Sequence, residues 1–178
     1  MIVRAATLDD AAAIARVHIE TWRTAYGGII PGDVLAGLSY ERRLQRWTEI
    51  LNRPADARSG NFVAVLDDRV VGFASGGPER DGDPVYTGEL YAIYVLRAYE
   101  RRGLGRLLTH AVAAMLVEAG FDSMLVWVLS DNSAARRFYE ALGGTVLREK
   151  PADIFGLMLP EVSYGWTDLD ELVRKMGA

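Results

Sequence analysis

Residues 93–108 read Ile93-Tyr94-Val95-Leu96-Arg97-Ala98-Tyr99-Glu100-Arg101-Arg102-Gly103-Leu104-Gly105-Arg106-Leu107-Leu108. The apolar start is typical of a strand, the middle is a turn rich in Arg and Gly, and the end begins an amphipathic helix. Bare amides at a helix N-terminus favour anions, because they point outward and the helix dipole is positive there. Gly103 and Gly105 have no side chain to hold a phosphate away from the backbone. The segment therefore predicts a pyrophosphate site.

Spacing excludes two common nucleotide-binding motifs. A dinucleotide fingerprint needs a third glycine three residues after Gly105, where this chain has Leu108. A nucleoside-triphosphate loop needs Gly-x-x-x-x-Gly-Lys followed by Ser or Thr, and the sequence contains no such string. The pattern that remains is Arg/Gln-x-x-Gly-x-Gly/Ala, represented here by Glu100 to Gly105.

Composition narrows the class of protein. The chain has 178 residues, 50% of them hydrophobic, which predicts one domain over residues 1–178. A formal net charge of −4 argues against a nucleic-acid partner. With no cysteine and two histidines, we expect neither disulfides nor a metal site. No run of about 20 apolar residues and no signal-peptide pattern occurs, so we expect no membrane association and a cytoplasmic location.

Strand and helix patterns alternate along the chain. They predict strands over residues 2–6, 62–66, 70–75, 85–95, 124–129, 145–148 and 157–166. They predict helices after the cap Thr7 up to Gly27, over residues 31–52 and 103–120, from Asn132 to Gly143, and over residues 168–175. The order is therefore two early helical parts, an antiparallel meander, the phosphate turn with its helix, and a closing set of strands and helices.

A second motif covers residues 132–144, which read Asn132-Ser133-Ala134-Ala135-Arg136-Arg137-Phe138-Tyr139-Glu140-Ala141-Leu142-Gly143-Gly144. It is similar to the Asn-x-x-Ala-x-x-Phe-Tyr-x-x-x-Gly-Phe segment of the GNAT superfamily of N-acetyltransferases, and the pattern at 100–105 resembles the acetyl-CoA pyrophosphate loop of that superfamily. Two positions depart from the family, since Gly144 replaces Phe and Glu100 replaces Gln or Arg. The resemblance implies an α/β (α+β) fold with a mixed, mostly antiparallel central sheet flanked by helices on both faces.

The resemblance also implies acetyl-CoA as co-substrate. In this family the pantetheine arm bonds the backbone of the long strand, here Ile93, Tyr94 and Val95. The pyrophosphate would accept from the amides of Arg101, Arg102, Gly103, Leu104, Gly105 and Arg106. Asn132 would bond the pantetheine side of the cofactor.

Tyr139 is the candidate general acid. Acetyl transfer to an amine needs a neutral nitrogen, although such amines have a pKa near 10.4, and the departing thiolate needs a proton. Tyr139 follows Asn132 by seven residues, two helical turns, and so lies on a similar face. The resemblance implies that its hydroxyl protonates the sulfur. The alternative is a core tyrosine beside Phe138.

Glu89 is the candidate general base. Strand alternation places Glu89, Tyr91, Ile93 and Val95 on one face. The resemblance implies that a glutamate here takes the proton of the amine through an ordered water, with Tyr91 as a fallback in the water relay. The alternatives are a solvent-facing charge, or an amine that loses its proton to bulk water before binding.

The acceptor site is less well defined. Trp22 and Tyr26 lie one helical turn apart and predict an aromatic wall that suits an apolar or cationic amine, with Tyr91 as a third candidate contact. Core packing is the alternative for Trp22. His18 lies on the same stripe and is interpreted as packed rather than catalytic.

These features predict an acetyl-CoA-dependent N-acetyltransferase that acts on a primary amine of a small molecule by direct attack. Two alternatives stay open, namely a peptide or protein acetyltransferase for an N-terminus or a lysine, and a non-catalytic acyl-CoA-binding or sensing module. Dimers are frequent in the superfamily, so the final strand around 162–166 is a candidate homodimer surface.

Overall fold

The computed structural model describes residues 1–54 and 56–177. The strands are β1 (Ile2–Ala5), β2 (Gly60–Leu66), β3 (Arg69–Pro78), β4 (Gly88–Val95), β5 (Met124–Leu129), β6 (Thr145–Ile154) and β7 (Leu157–Trp166). The helices are α1 (Ala11–Ala25), α2 (Gly32–Ala36), α3 (Tyr40–Leu51), α4 (Leu104–Glu118), α5 (Ser133–Ala141) and α6 (Leu169–Gly177). Among these helices, none is long and apolar enough to cross a membrane.

The seven strands form one sheet in the order β1-β2-β3-β4-β5-β7-β6. β4 and β5 run parallel, whereas the other neighbouring pairs run antiparallel. Leu108, Val112 and Leu172 of α4 and α6 are buried on one side of the sheet, and Ile14 and Trp47 of α1 and α3 are buried on the other. The predicted mixed sheet with helices on both faces is confirmed.

Two element boundaries differ from the prediction. The helical region 31–52 is two helices, because Gly37 ends α2 and Ser39 caps α3, its hydroxyl accepting from the Arg42 amide at 3.2 Å. β6 continues to Ile154 although the prediction ended at residue 148. Pro151 is tolerated there because β6 is an edge strand and needs hydrogen bonds on one side only.

A β-bulge interrupts the pairing of β3 with β4. Ser75 lies opposite Ala92, whereas the next residue, Gly76, lies opposite Leu90. Tyr91 is therefore an extra residue on β4, and the alternation of side chains changes there.

The bulge corrects the predicted face of β4. Glu89, Tyr91 and Tyr94 line a cleft on the α1 side of the sheet. Ile93 and Val95 instead pack against the core beneath α4. The prediction that Glu89, Tyr91, Ile93 and Val95 share one face is wrong, because simple alternation does not hold across an extra residue.

The predicted homodimer surface on the last strand is also wrong. β7 lies between β5 and β6 in the interior of the sheet. Val162, Ser163, Tyr164 and Trp166 are all buried. This segment is a central part of the core and presents no free surface to a partner.

Candidate active site

The gap between β4 and β5 is the central feature of the site. The two strands pair over Gly88–Leu90 and Met124–Val126, and they separate beyond those residues. From Tyr91 to Val95, β4 therefore has a backbone edge that faces the gap while its other edge pairs with β3. An extended ligand can bond such an edge in the way an added strand does.

The turn before α4 lies at the open end of β4. Arg101 and Gly103 have φ angles of 61° and 81°, both in the left-handed region, and Gly103 is the N-cap of α4. The first amides of a helix have no intrahelical acceptor, so this turn offers donors to an anion. Arg101 and Arg102 are exposed beside it.

Three residues at the start of α4 also make contacts with other parts of the protein. The Arg106 guanidinium donates to the Lys175 carbonyl of α6, so its side chain is directed to that helix. Leu104 is fully buried. A Cβ at Gly105 would lie 3.1 Å from the Phe138 ring, so the glycine lets α4 and α5 approach each other. Only the backbone of these residues remains for the cofactor.

Asn132 caps α5, which follows β5 on the other side of the gap from the amide-rich turn. Its Oδ1 accepts from the Ala135 amide at 3.1 Å, and its NH₂ group is on the side of the Tyr26 hydroxyl. Asn132 lies beside the Tyr26 hydroxyl, to which Tyr94 and Tyr139 are also close. The structure thus brings together residues predicted for the cofactor, the acceptor and catalysis.

Tyr139 lies deep in this group. Its ring centroid is 5.8 Å from that of Tyr164 and 6.3 Å from that of Trp166. Burial raises the pKa of the Tyr139 hydroxyl above its ordinary value, and neighbouring Tyr94 raises it further. The hydroxyl therefore keeps its proton at neutral pH.

The departure at Gly144 has a packing reason. A Cβ on Gly144 would lie 2.7 Å from the Trp166 ring and 3.0 Å from the Tyr139 carbonyl. Contacts below about 3 Å are repulsive, so the Phe that the family usually has would not fit here. Trp166 supplies the aromatic packing from the opposite strand.

The cleft on the α1 side has a volume of about 410 Å³. Its aromatic walls are Trp22, Tyr26, Tyr91, Tyr94 and Trp127. Its charged residues are Arg80, Asp81, Glu89, Lys150 and Glu161. Its size and mixed lining are typical of a small-molecule site.

Glu89 is buried rather than solvent-facing, with 3% of its side chain exposed. Both carboxylate oxygens accept from the Arg80 guanidinium: Oε2 from Nε at 3.0 Å, and Oε1 from Nη2. The guanidinium also stacks 4.4 Å from the centroid of the Tyr91 ring. The Tyr91 hydroxyl donates to the Pro78 carbonyl at 2.6 Å, so it is already committed as a donor.

Trp22 and Tyr26 form the predicted aromatic wall. Their rings meet edge to face with centroids 4.9 Å apart, and Phe155 from the turn between β6 and β7 lies 5.7 Å from Trp22. The Trp22 indole nitrogen is buried and has no hydrogen-bond partner among the described residues. Both residues also pack in a core cluster, so each serves packing and the cleft.

His18 is a packed residue, as interpreted from the sequence. The indole N–H of Trp47 donates to its Nδ1 at 3.4 Å. Burial, helped by the charge of Arg43, lowers the pKa of His18 to about 3. The imidazole is neutral at physiological pH.

Apart from Trp22 and Tyr26, sequence reasoning missed the cleft residues outside β4. Trp127 and Glu161 lie on paired central strands, and alternation along those strands could have placed them on one face. Lys150 lies beyond the predicted end of β6. Arg80 and Asp81 come from the loop between β3 and β4, where no periodicity marks a direction.

Comparison with known proteins agrees with this geometry. Residues 19–144 match the model of the acetyltransferase (GNAT) family. The chain is 42% identical over 173 residues to an uncharacterized N-acetyltransferase, YuaI, of Bacillus subtilis (strain 168), covering 96% of this chain and 95% of that protein. It is 33% identical over 147 residues to the mycothiol acetyltransferase of Mycobacteroides abscessus, covering 82% of this chain and 41% of that protein.

A solved structure shows the same architecture. The structure of yncA from Salmonella typhimurium with its cofactor acetyl-CoA superposes with a TM-score of 0.70 at 25% identity, covering 94% of this chain and 93% of that chain. The gap between β4 and β5 and the amide-rich turn indicate a site for acetyl-CoA. The family match and the relative of similar length agree with this. The chain is an acyltransferase that belongs to the GNAT family of acetyltransferases.

Proposed function

We propose that this protein transfers an acetyl group from acetyl-CoA to the primary amine of a small molecule by direct attack. The observation that carries the proposal is the gap between β4 and β5, with the amide-rich turn after β4 on one side and Asn132 and Tyr139 after β5 on the other. Bound acetyl-CoA would supply the activated acetyl group.

The chain has groups that fit each part of acetyl-CoA. The unpaired edge of β4 at Ile93, Tyr94 and Val95 would bond the amides of the pantetheine arm. The backbone amides from Arg101 to Arg106 would hold the pyrophosphate, with Arg101 and Arg102 adding positive charge. The NH₂ group of Asn132 would donate to the pantetheine, since its oxygen caps α5.

Tyr139 would act as the general acid. Its hydroxyl carries a proton at neutral pH, which it would donate to the departing sulfur; the raised pKa stabilises the neutral phenol and does not itself strengthen the acid. The ring is fixed by Phe138, Tyr164 and Trp166, which orients the hydroxyl without further cost at the moment of reaction.

Glu89 would act as the general base. It lines the acceptor cleft beside Tyr91. Oε1 accepts one bond, from Arg80 Nη2, so its second lone pair would be available to take a proton from a water. The Arg80 side chain is 59% exposed, so water reaches the guanidinium of this pair.

A small molecule is the acceptor class that the cleft favours. Trp22, Tyr26 and Tyr91 line it, and the turn between β6 and β7 places Phe155 against Trp22. The cleft volume of about 410 Å³ suits a compact acceptor. Similarity to an enzyme named for mycothiol, a small molecule, supports the same choice.

The test is thiol release from acetyl-CoA with a panel of amines, polyamines, amino acids and peptides. We expect transfer to small amines and a rise in melting temperature with acetyl-CoA alone. A rise in melting temperature without thiol release for any acceptor would instead favour a non-catalytic acyl-CoA-binding module. Peptides as the sole acceptors would favour the peptide acetyltransferase alternative.

A further inference from the structure

The charges of the cleft are unequally matched. Arg80 and Lys150 provide two cations, and Asp81, Glu89 and Glu161 provide three carboxylates. The cleft therefore holds one more carboxylate than cation, and the contacts of each group show which carboxylate is left in excess.

Both cations are committed to partners within the protein. Arg80 donates to both oxygens of Glu89. Lys150 contacts the Asp81 carboxylate and lies 4.0 Å from the centroid of the Trp127 ring. The charge of each cation is therefore already offset by a carboxylate of the protein.

Glu161 is the carboxylate with the weakest compensation. Its contact with a cation is with Lys150 at 3.6 Å, and Lys150 is shared with Asp81. Glu161 lies on central strand β7, between Leu129 of β5 and Lys150 of β6. Its side chain is 16% exposed, and that exposed part faces the cleft.

The surroundings of Glu161 favour a cation over an anion. Burial raises the pKa of Glu161, which shows that its charge is poorly solvated. An ammonium in the cleft would relieve this excess charge and could also lie against the aromatic walls. A ligand carboxylate at the same place would meet like charge and be repelled.

We propose that Glu161 selects acceptors in which no carboxylate adjoins the reactive amine, so that amino-acid amides and simple amines enter and free α-amino acids are rejected. This rests on the proposed function, since it assigns the cleft to the acceptor. It adds a specificity-determining residue on β7 to the candidate residues on β4 and α5.

The test compares matched pairs that differ only in the carboxylate. Calorimetry in the presence of CoA would measure binding of leucine, phenylalanine and lysine against the corresponding amides. We expect the amide to bind roughly tenfold more tightly or better in at least one pair. We expect Glu161→Gln to reduce that ratio to near one, whereas Glu118→Gln, at an exposed position on α4, leaves it unchanged.

Two results would overturn the proposal: no pair that favours the amide, or a preference that survives in Glu161→Gln. Because binding is read without turnover, the result is independent of thiol release. A clear amide preference in a protein that releases no thiol would leave the role of Glu161 intact and contradict only the transfer reaction.

Discussion

Arg80, from the loop between β3 and β4, donates to both oxygens of the buried Glu89 carboxylate. The pair ties this loop to a fixed position on a central strand. If Glu89 only holds this loop, replacing Glu89 or Arg80 should affect mainly stability. If Glu89 also transfers a proton, replacing Glu89 should in addition lower turnover.

Replacing Arg80 with Met should destabilise the protein, because the buried Glu89 loses its partner. The cost should be about 1–2 kcal/mol, below the range for fully buried pairs, since Arg80 is largely exposed and water can replace it. Urea unfolding would measure it. The double variant with Glu89→Gln should recover part of the loss, and purely additive effects would show that the two residues do not interact.

Glu89→Gln should lower turnover at neutral pH by about a hundredfold or more if Glu89 is the base. Adding Arg80→Met to the Glu89→Gln variant should not restore turnover. If turnover of Glu89→Gln rises with pH toward the wild-type value, the amine loses its proton to bulk solvent, and Glu89 is not the base.

Tyr139→Phe should lower turnover by roughly tenfold or more with little change in the affinity for acetyl-CoA, because only the proton donor is lost. Tyr164→Phe is a matched control. The Tyr164 hydroxyl is also buried, but it donates to Glu140 with a hydrogen-bond length of 2.7 Å, and this contact lies outside the gap. That control should lose about 1 kcal/mol of stability and keep its turnover. An unchanged rate in Tyr139→Phe would remove this residue from the mechanism.

His18 should make the protein less stable in acid. Its pKa is about 3 in the folded protein against an ordinary value of 6.5, so the unfolded chain binds a proton that the folded chain excludes. Stability is therefore lost as the pH falls from 6.5 toward 3, at up to about 1.4 kcal/mol per pH unit. The neutral His18→Gln variant should lose this part of the slope, measured by urea unfolding at several pH values.

The control for that measurement is His110→Gln, which removes the other histidine of the chain, on α4. It should keep the wild-type slope. Any slope that remains in His18→Gln belongs to carboxylates such as Asp10, whose pKa is lowered chiefly by its hydrogen bonds with Arg4. An identical slope in His18→Gln and wild type would contradict the assignment.

Gly105→Ala tests whether the glycine serves packing or the cofactor. The added methyl would meet the Phe138 ring, at a cost of about 1–3 kcal/mol. In a Phe138→Leu background that cost should shrink, measured as the free energy of unfolding of all four variants. A loss of acetyl-CoA affinity that persists in the double variant would show instead that the methyl obstructs the phosphate.

Local chemistry explains what the sequence predicted well. Gly103 was placed at a helix start, and it has the left-handed φ angle that such a turn requires. A helix is predicted to start at Asn132, and the side chain of that residue caps α5. Both rules involve residues a few positions apart, so a sequence shows them directly.

The remaining errors come from contacts between distant residues. The contact of Gly105 with Phe138 is not predicted, because Phe138 belongs to another helix. Glu161 and Arg80 reach one cleft from a central strand and from a loop, and only the folded sheet brings them together. Residues 162–166 belong to the last strand of the chain, but that strand is not at the edge of the sheet, because strand order in the sheet does not follow chain order.

The extra residue at Tyr91 makes the two faces of β4 depend on its length. Inserting one residue between Tyr91 and Tyr94 would shift the alternation and turn Ile93 and Val95 out of the core into the cleft. Most substitutions at these positions alter one side chain, whereas the insertion would exchange two surfaces at once. Removing Tyr91 would instead restore simple alternation with Glu89 and Tyr94 still on the cleft side, so a functional relative can lose this bulge but cannot gain a residue here without rebuilding the site.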